Sequence, residues 1–96
     1  MKNVFELNNF GKRLQQCSVK TKLVDIYTDA QIYEIVDKIP EYGLKKGDMF
    51  YLDKCHNDHI EVFRNNRCIN VLNLDGLVNE SKALKALGEG RKLKVK

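Results

Sequence analysis

The segment YLDKCHNDHIEVF, residues 51–63, gathers both histidines of the chain, His56 and His59, with the carboxylates of Asp53, Asp58 and Glu61 and the thiol of Cys55. Imidazole and carboxylate are the side chains from which general acid–base catalysis is assembled. Cutting RNA without a metal calls for such a set. A base takes the proton of a ribose 2′-OH, the oxygen attacks the adjacent phosphorus, and an acid protonates the departing 5′-oxygen. A cation must hold the phosphate while charge builds on its oxygens. An ordinary glutamate, with a pKa of about 4.3, is ionised at neutral pH, which suits Glu61 to the base role. An ordinary histidine, at about 6.5, needs a neighbouring carboxylate to stay protonated, and Asp53 is the candidate partner. Arginine is the natural phosphate clamp, being planar and permanently charged, and Arg91 opens a basic tail. Tyr51, Lys46, Lys54, Lys92 and Lys94 are the candidate substrate contacts.

Zinc is a competing reading of Cys55-His56-x-x-His59. Adjacent residues diverge on extended backbone and no fourth ligand stands nearby, so neither a metal nor another cofactor is expected. Asn73 and Asp75 in NLDG read as turn formers. If Glu61 sits at the surface, Glu61→Gln should change stability by only about ±0.5 kcal/mol.

The elements must bring these groups together. The chain has 96 residues, enough for one domain with a single modest core. NVFELNNFGKRLQQC places Phe5, Phe10 and Leu14 at helical spacing, and KLVDIYT suits a short strand. Thr28 or Asp29 can cap a second helix with Ile32, Ile35, Val36 and Ile39 on one stripe, ended by Pro40 and Gly43. From Lys45 the period shortens to that of strands: GDMFYLD, HIEVFR and RCINVLN, with Asn65-Asn66 as a hairpin turn. Asp75-Gly76 turns the chain again, and Asn79 or Ser81 caps a helix SKALKAL that Gly88 closes. RKLKVK alternates basic and apolar residues as an edge strand would. The expected fold is α+β: a helical part over residues 1–43, then a small, twisted antiparallel sheet carrying the catalytic groups over 44–96. On its strand, His59, Glu61 and Phe63 share one exposed face, while Ile60 and Val62 point to the core.

Charge follows the same division. Residues 1–43 carry six basic and six acidic side chains, and residues 44–96 carry eleven and seven, giving the net charge of +4. Four of those bases lie in the last six residues. A basic half invites a polyanion, nucleic acid being the usual one. Three widely spaced cysteines, Cys17, Cys55 and Cys68, make no disulfide framework and fit a reducing compartment. No apolar run nears the ~18 residues of a membrane span, and the polar start lacks a secretory apolar core, so no membrane association is expected.

KKGDMFYLDKCHNDHIEVF, followed by VLNLDG and a closing GRKLK, resembles the cytotoxic ribonuclease domain of the ribosome-inactivating colicins and related polymorphic toxins of the contact-dependent inhibition type. Asp53 and His56 match that family's Asp-x-x-His element, Glu61 its strand-borne glutamate, and Arg91 its tail arginine. The interval from His56 to Glu61 is one residue longer than the family spacing, which leaves His59 as a second candidate acid. The likeness covers residues 44–96. It implies a metal-independent ribonuclease that cuts small-subunit ribosomal RNA at the decoding site and stops translation. It further implies a small acidic immunity protein as partner, and action in the cytoplasm of a target bacterium after delivery within a larger effector or expression as a stand-alone toxin. By that likeness Glu61 is the base, His56 the acid, Asp53 its orienting partner and Arg91 the phosphate ligand. A tRNA substrate, or a non-catalytic basic RNA-binding module, are the alternatives.

Overall fold

The computed structural model of the chain describes residues 9–26, 29–52 and 59–95. The first helix, α1 (Asn9–Cys17), forms where Phe10, Leu14 and Cys17 recur at i, i+4 and i+7, and all three are buried. Phe5, expected on the same stripe, lies outside the described residues. The chain then enters β1 (Ser18–Val24) and β2 (Gln31–Ile35), makes a 3-10 turn (Pro40–Tyr42), and continues through β3 (Met49–Leu52), β4 (His59–Arg64), β5 (Arg67–Asn73) and α2 (Glu80–Gly88). The strands form one antiparallel sheet in chain order.

The helix expected over Ile32, Ile35, Val36 and Ile39 is not formed, because residues 31–35 are β2. Ile32 and Ile35 are both buried, but in different clusters. Ile32 belongs with Tyr51, Phe63 and Val71, and Ile35 with Phe10, Phe50 and Val62. A three-residue spacing puts two side chains on one face of a helix but on opposite faces of a strand. Both faces of this sheet are covered, so apolar residues of either parity find a core, and the β-branched run favours the strand. Asp29, expected as that helix's cap, instead has φ 57° and donates its N–H to Asp25 O in the β1–β2 turn. Thr28 lies outside the described residues. The described residues up to 43 are therefore not helical throughout: after α1 they supply two strands of the sheet.

The remaining strands stand where the alternation predicts them, β3 covering the middle of GDMFYLD. Asn65 and Asn66 have φ of 53° and 67°, the left-handed pair that a two-residue hairpin turn requires. Val62 pairs with Asn70 and Phe63 with Cys68, which leaves Ile69 as the extra residue of a bulge. Asn79 caps α2, its side chain accepting from the Lys82 N–H at 3.2 Å.

One sheet face packs Phe50, Ile60, Val62 and Leu72 against α1; the other packs Ile32, Tyr51, Phe63 and Val71 against Ala83 and Ala86 of α2. The architecture is α+β with a helix on each face of the sheet, rather than helices followed by a sheet. RKLKVK is not a continuous edge strand either. It meets the sheet at two single bridges, Arg67↔Lys92 on β5 and Asp25↔Val95 just beyond β1. Since β1 and β5 are the outer strands, residues 91–95 cross from one margin to the other on the α2 side, where Leu93 packs. Among the described residues no helix is long and apolar enough to cross a membrane.

Candidate functional site

Glu61 stands in the middle of β4, directly opposite Tyr51 of β3 on one side and Val71 of β5 on the other. Strand parity turns it, with His59 and Phe63, toward the face covered by α2 and the tail. That shared face is as the alternation predicts, but its exposure is not. Glu61 is 4% exposed and His59 3%, because α2 and Leu93 cover a face that was expected to be open.

A buried carboxylate needs partners, and among the described residues Glu61 has two. The Tyr51 hydroxyl donates to its Oε2 at 3.0 Å, and Arg91 Nη1 donates to its Oε1 at 2.5 Å. Backbone pairing holds Arg91 in place, since its carbonyl accepts from Cys68 N–H on β5. Its other terminal nitrogen reaches the exposed Glu89 at 3.2 Å. The Arg91 side chain keeps 35% of its surface in solvent, so the ion pair is buried on the carboxylate side and open on the guanidinium side.

Electrostatics agree with an anionic centre at Glu61. The Tyr51 phenol is pushed well above its ordinary value, by burial first and then by the charges of Glu61 and Asp25. Arg91 is held more firmly protonated by its hydrogen bond to Glu61. The Cys68 thiol is raised by burial and by Glu61. Asp25, 3% exposed at the end of β1, is a member of this environment that sequence reasoning did not single out. An acid inside the apolar run LVDIY was the available signal.

His59 lies two residues from Glu61 on the same face, roughly 6.5–7 Å along the strand. Its cross-strand neighbour is Asn73, whose Oδ1 accepts from Asn79 Nδ2 at 3.0 Å, so a polar row runs from β4 to the cap of α2. Asp53, Lys54 and His56 lie outside the described residues. Lys46 is exposed on the turn before β3, at the far end of that strand from Tyr51. Lys92 and Lys94 are exposed on the tail; Lys92 faces Arg67, and the Lys94 carbonyl accepts from Ile26 N–H. The structure thus joins Glu61, Tyr51 and Arg91, sets His59 beside them, and places Lys46 elsewhere. Among the described residues, no three His, Cys, Asp or Glu side chains converge as a metal would need.

Chemically, the cluster offers a carboxylate that can accept a proton and an arginine that can exchange that carboxylate for a phosphate. No family model matches the chain, nor does any curated protein or solved structure.

Proposed function

We propose that this chain is a metal-independent endoribonuclease of the toxin type, cutting small-subunit ribosomal RNA at the decoding site and so stopping translation. The observation that carries the reading is the meeting of Glu61 with Arg91, 30 residues apart in the chain, at 2.5 Å on the strand face that also bears His59. Proton acceptor, imidazole and phosphate ligand are the groups that 2′-OH transesterification uses.

In this mechanism Arg91 leaves Glu61 for the scissile phosphate, its partial exposure giving it room to turn. The freed Glu61 carboxylate takes the 2′-OH proton, while Tyr51 holds its second oxygen in position. The 2′-oxygen bonds to phosphorus, the P–O5′ bond breaks, and a histidine gives its proton to O5′. The products are a 2′,3′-cyclic phosphate and a 5′-hydroxyl. His59 or His56 is the acid, with Asp53 as the partner of His56. The same reading carries an acidic immunity protein as partner and the cytoplasm of a target bacterium as the place of action.

A second reading is favoured by the burial of Glu61 and the occupation of both its oxygens. In it, the Glu61–Arg91 pair only fastens the tail, and the chain is a basic RNA-binding module without catalysis. Incubating the chain with intact ribosomes in EDTA separates the two. One discrete 3′ fragment of the small-subunit RNA is expected, and Glu61→Gln should lower its rate of appearance by about 10²–10⁴-fold. Cleavage of free tRNA with ribosomes intact would move the substrate to tRNA. No cleavage of either leaves the binding module. His56→Ala and His59→Ala, made separately, identify the acid.

A further inference from the structure

At the margin of the sheet, Cys68 N–H donates to Arg91 O and Leu93 N–H donates to Asn66 O. Arg67 and Lys92 therefore oppose each other as a pair flanked by these bonds rather than joined by them. This is the closer of the two antiparallel pair types, with Cα atoms about 4.5 Å apart and both side chains on one face. Arg67 also pairs with Arg64 across the β4–β5 hairpin, so three cations form a row over three adjoining segments.

Their surroundings differ. Asp48, 1% exposed, accepts from both Nε and Nη2 of Arg64 at 2.8 Å, which neutralises the first member of the row. Arg67 and Lys92 are exposed, and neither has an acidic partner among the described residues. Two more exposed cations, Lys45 and Lys46, flank Asp48 on the turn before β3. Like charges placed directly opposite repel, and an anion seated between them converts that repulsion into attraction. The extended tail alternates its faces, so Arg91 turns to Glu61 while the next residue turns to Arg67.

We propose that Arg67 and Lys92 form a second phosphate-binding subsite, apart from Arg91 and on the other face of the tail, for the sugar–phosphate backbone of a nucleic acid strand. The proposal rests on the nucleic-acid reading above but not on catalysis. An arginine fork beside a lysine point charge is the pairing that suits phosphate oxygens.

The test is binding of a single-stranded 2′-O-methyl RNA oligonucleotide, which the chain cannot cut for want of a 2′-OH. Affinity is measured over a series of salt concentrations for the full chain and for Arg67→Gln, Lys92→Gln and Lys20→Gln, the last on the opposite margin of the sheet. Each of the first two should weaken binding several-fold and reduce the slope of log affinity against log salt by about 0.7, with Lys20→Gln unchanged. Slopes for Arg67→Gln and Lys92→Gln equal to that of Lys20→Gln overturn the subsite. So does polyglutamate of matched charge binding as tightly as the oligonucleotide, which would assign the row to an acidic protein. If ribosomes stay uncut while Arg67→Gln loses oligonucleotide binding, the catalytic reading falls and the subsite stands. Cut ribosomes with unaltered binding remove the subsite alone.

Discussion

The Glu61 carboxylate divides its oxygens between unlike donors, a neutral phenol at 3.0 Å and a guanidinium at 2.5 Å. Glu61→Gln is thus not the neutral surface change its sequence context suggested. A buried group losing charge-assisted partners costs about 1–3 kcal/mol, so the cleavage experiment needs a thermal melt beside it. Tyr51 gives the site a pH signature of its own. Its phenol is raised in the fold because burial, Glu61 and Asp25 all disfavour the phenolate. A raised acid of this kind contributes stability in full below its unfolded value of about 10, and that contribution is lost as pH climbs beyond it. Urea unfolding between pH 9 and about 11.5 should therefore show a steeper decline for the parent chain than for Tyr51→Phe, and equal slopes would remove Tyr51 from the anionic centre. Period-two alternation in HIEVF was enough to read which residues share the face of Glu61. Burial was not legible, because the cover comes from Ala83, Ala86 and Leu93, more than twenty residues further along the chain.

Among elements, β4 and β5 declare themselves through alternation bounded by Asn65-Asn66, whereas β2 disguises itself. Its isoleucines serve two cores, and residues three apart satisfy a helix or a doubly covered strand equally well. Only knowledge that a second layer lies over the sheet separates the two, and that layer, α2, comes last in the chain. The turn into α2 depends on a single close approach. Gly76 has φ 89°, and a Cβ there would lie well inside van der Waals contact with the Tyr42 ring and 3.0 Å from Phe10. Tyr42 is half-buried and held edge-on to the buried Phe10, with ring centroids 4.6 Å apart, so making room for a Cβ disturbs that ring contact. Gly76→Ala combines a strained backbone with overpacking and should lower unfolding free energy by about 2–4 kcal/mol in denaturant titration. A change below about 0.5 kcal/mol would mean that the turn and the α1 face are not in contact.

At the scale of the molecule, the sheet is a partition between two cores, α1 closing one and α2 with the tail closing the other. Of the candidates, Tyr51, His59, Glu61 and Arg91 lie on the second side, where the tail that carries Arg91 is part of the lid. That same crossing has a consequence for how copies of the chain treat one another. An outer strand offers unpaired amides and carbonyls on which a foreign strand can grow, and proteins protect such borders by various devices. Here one short segment meets both: its backbone bonds to Asn66 and Cys68 on one border and to Ile26, just past the end of β1, on the other. Removing residues 91–96 should raise the sedimenting mass above that of the intact chain at equal concentration, whereas Arg91→Gln, which keeps the backbone crossing, should leave it unchanged. A clipped chain loses backbone partners at both borders, so it can extend from either side, and linear stacking rather than a closed pair is the form its assembly would take.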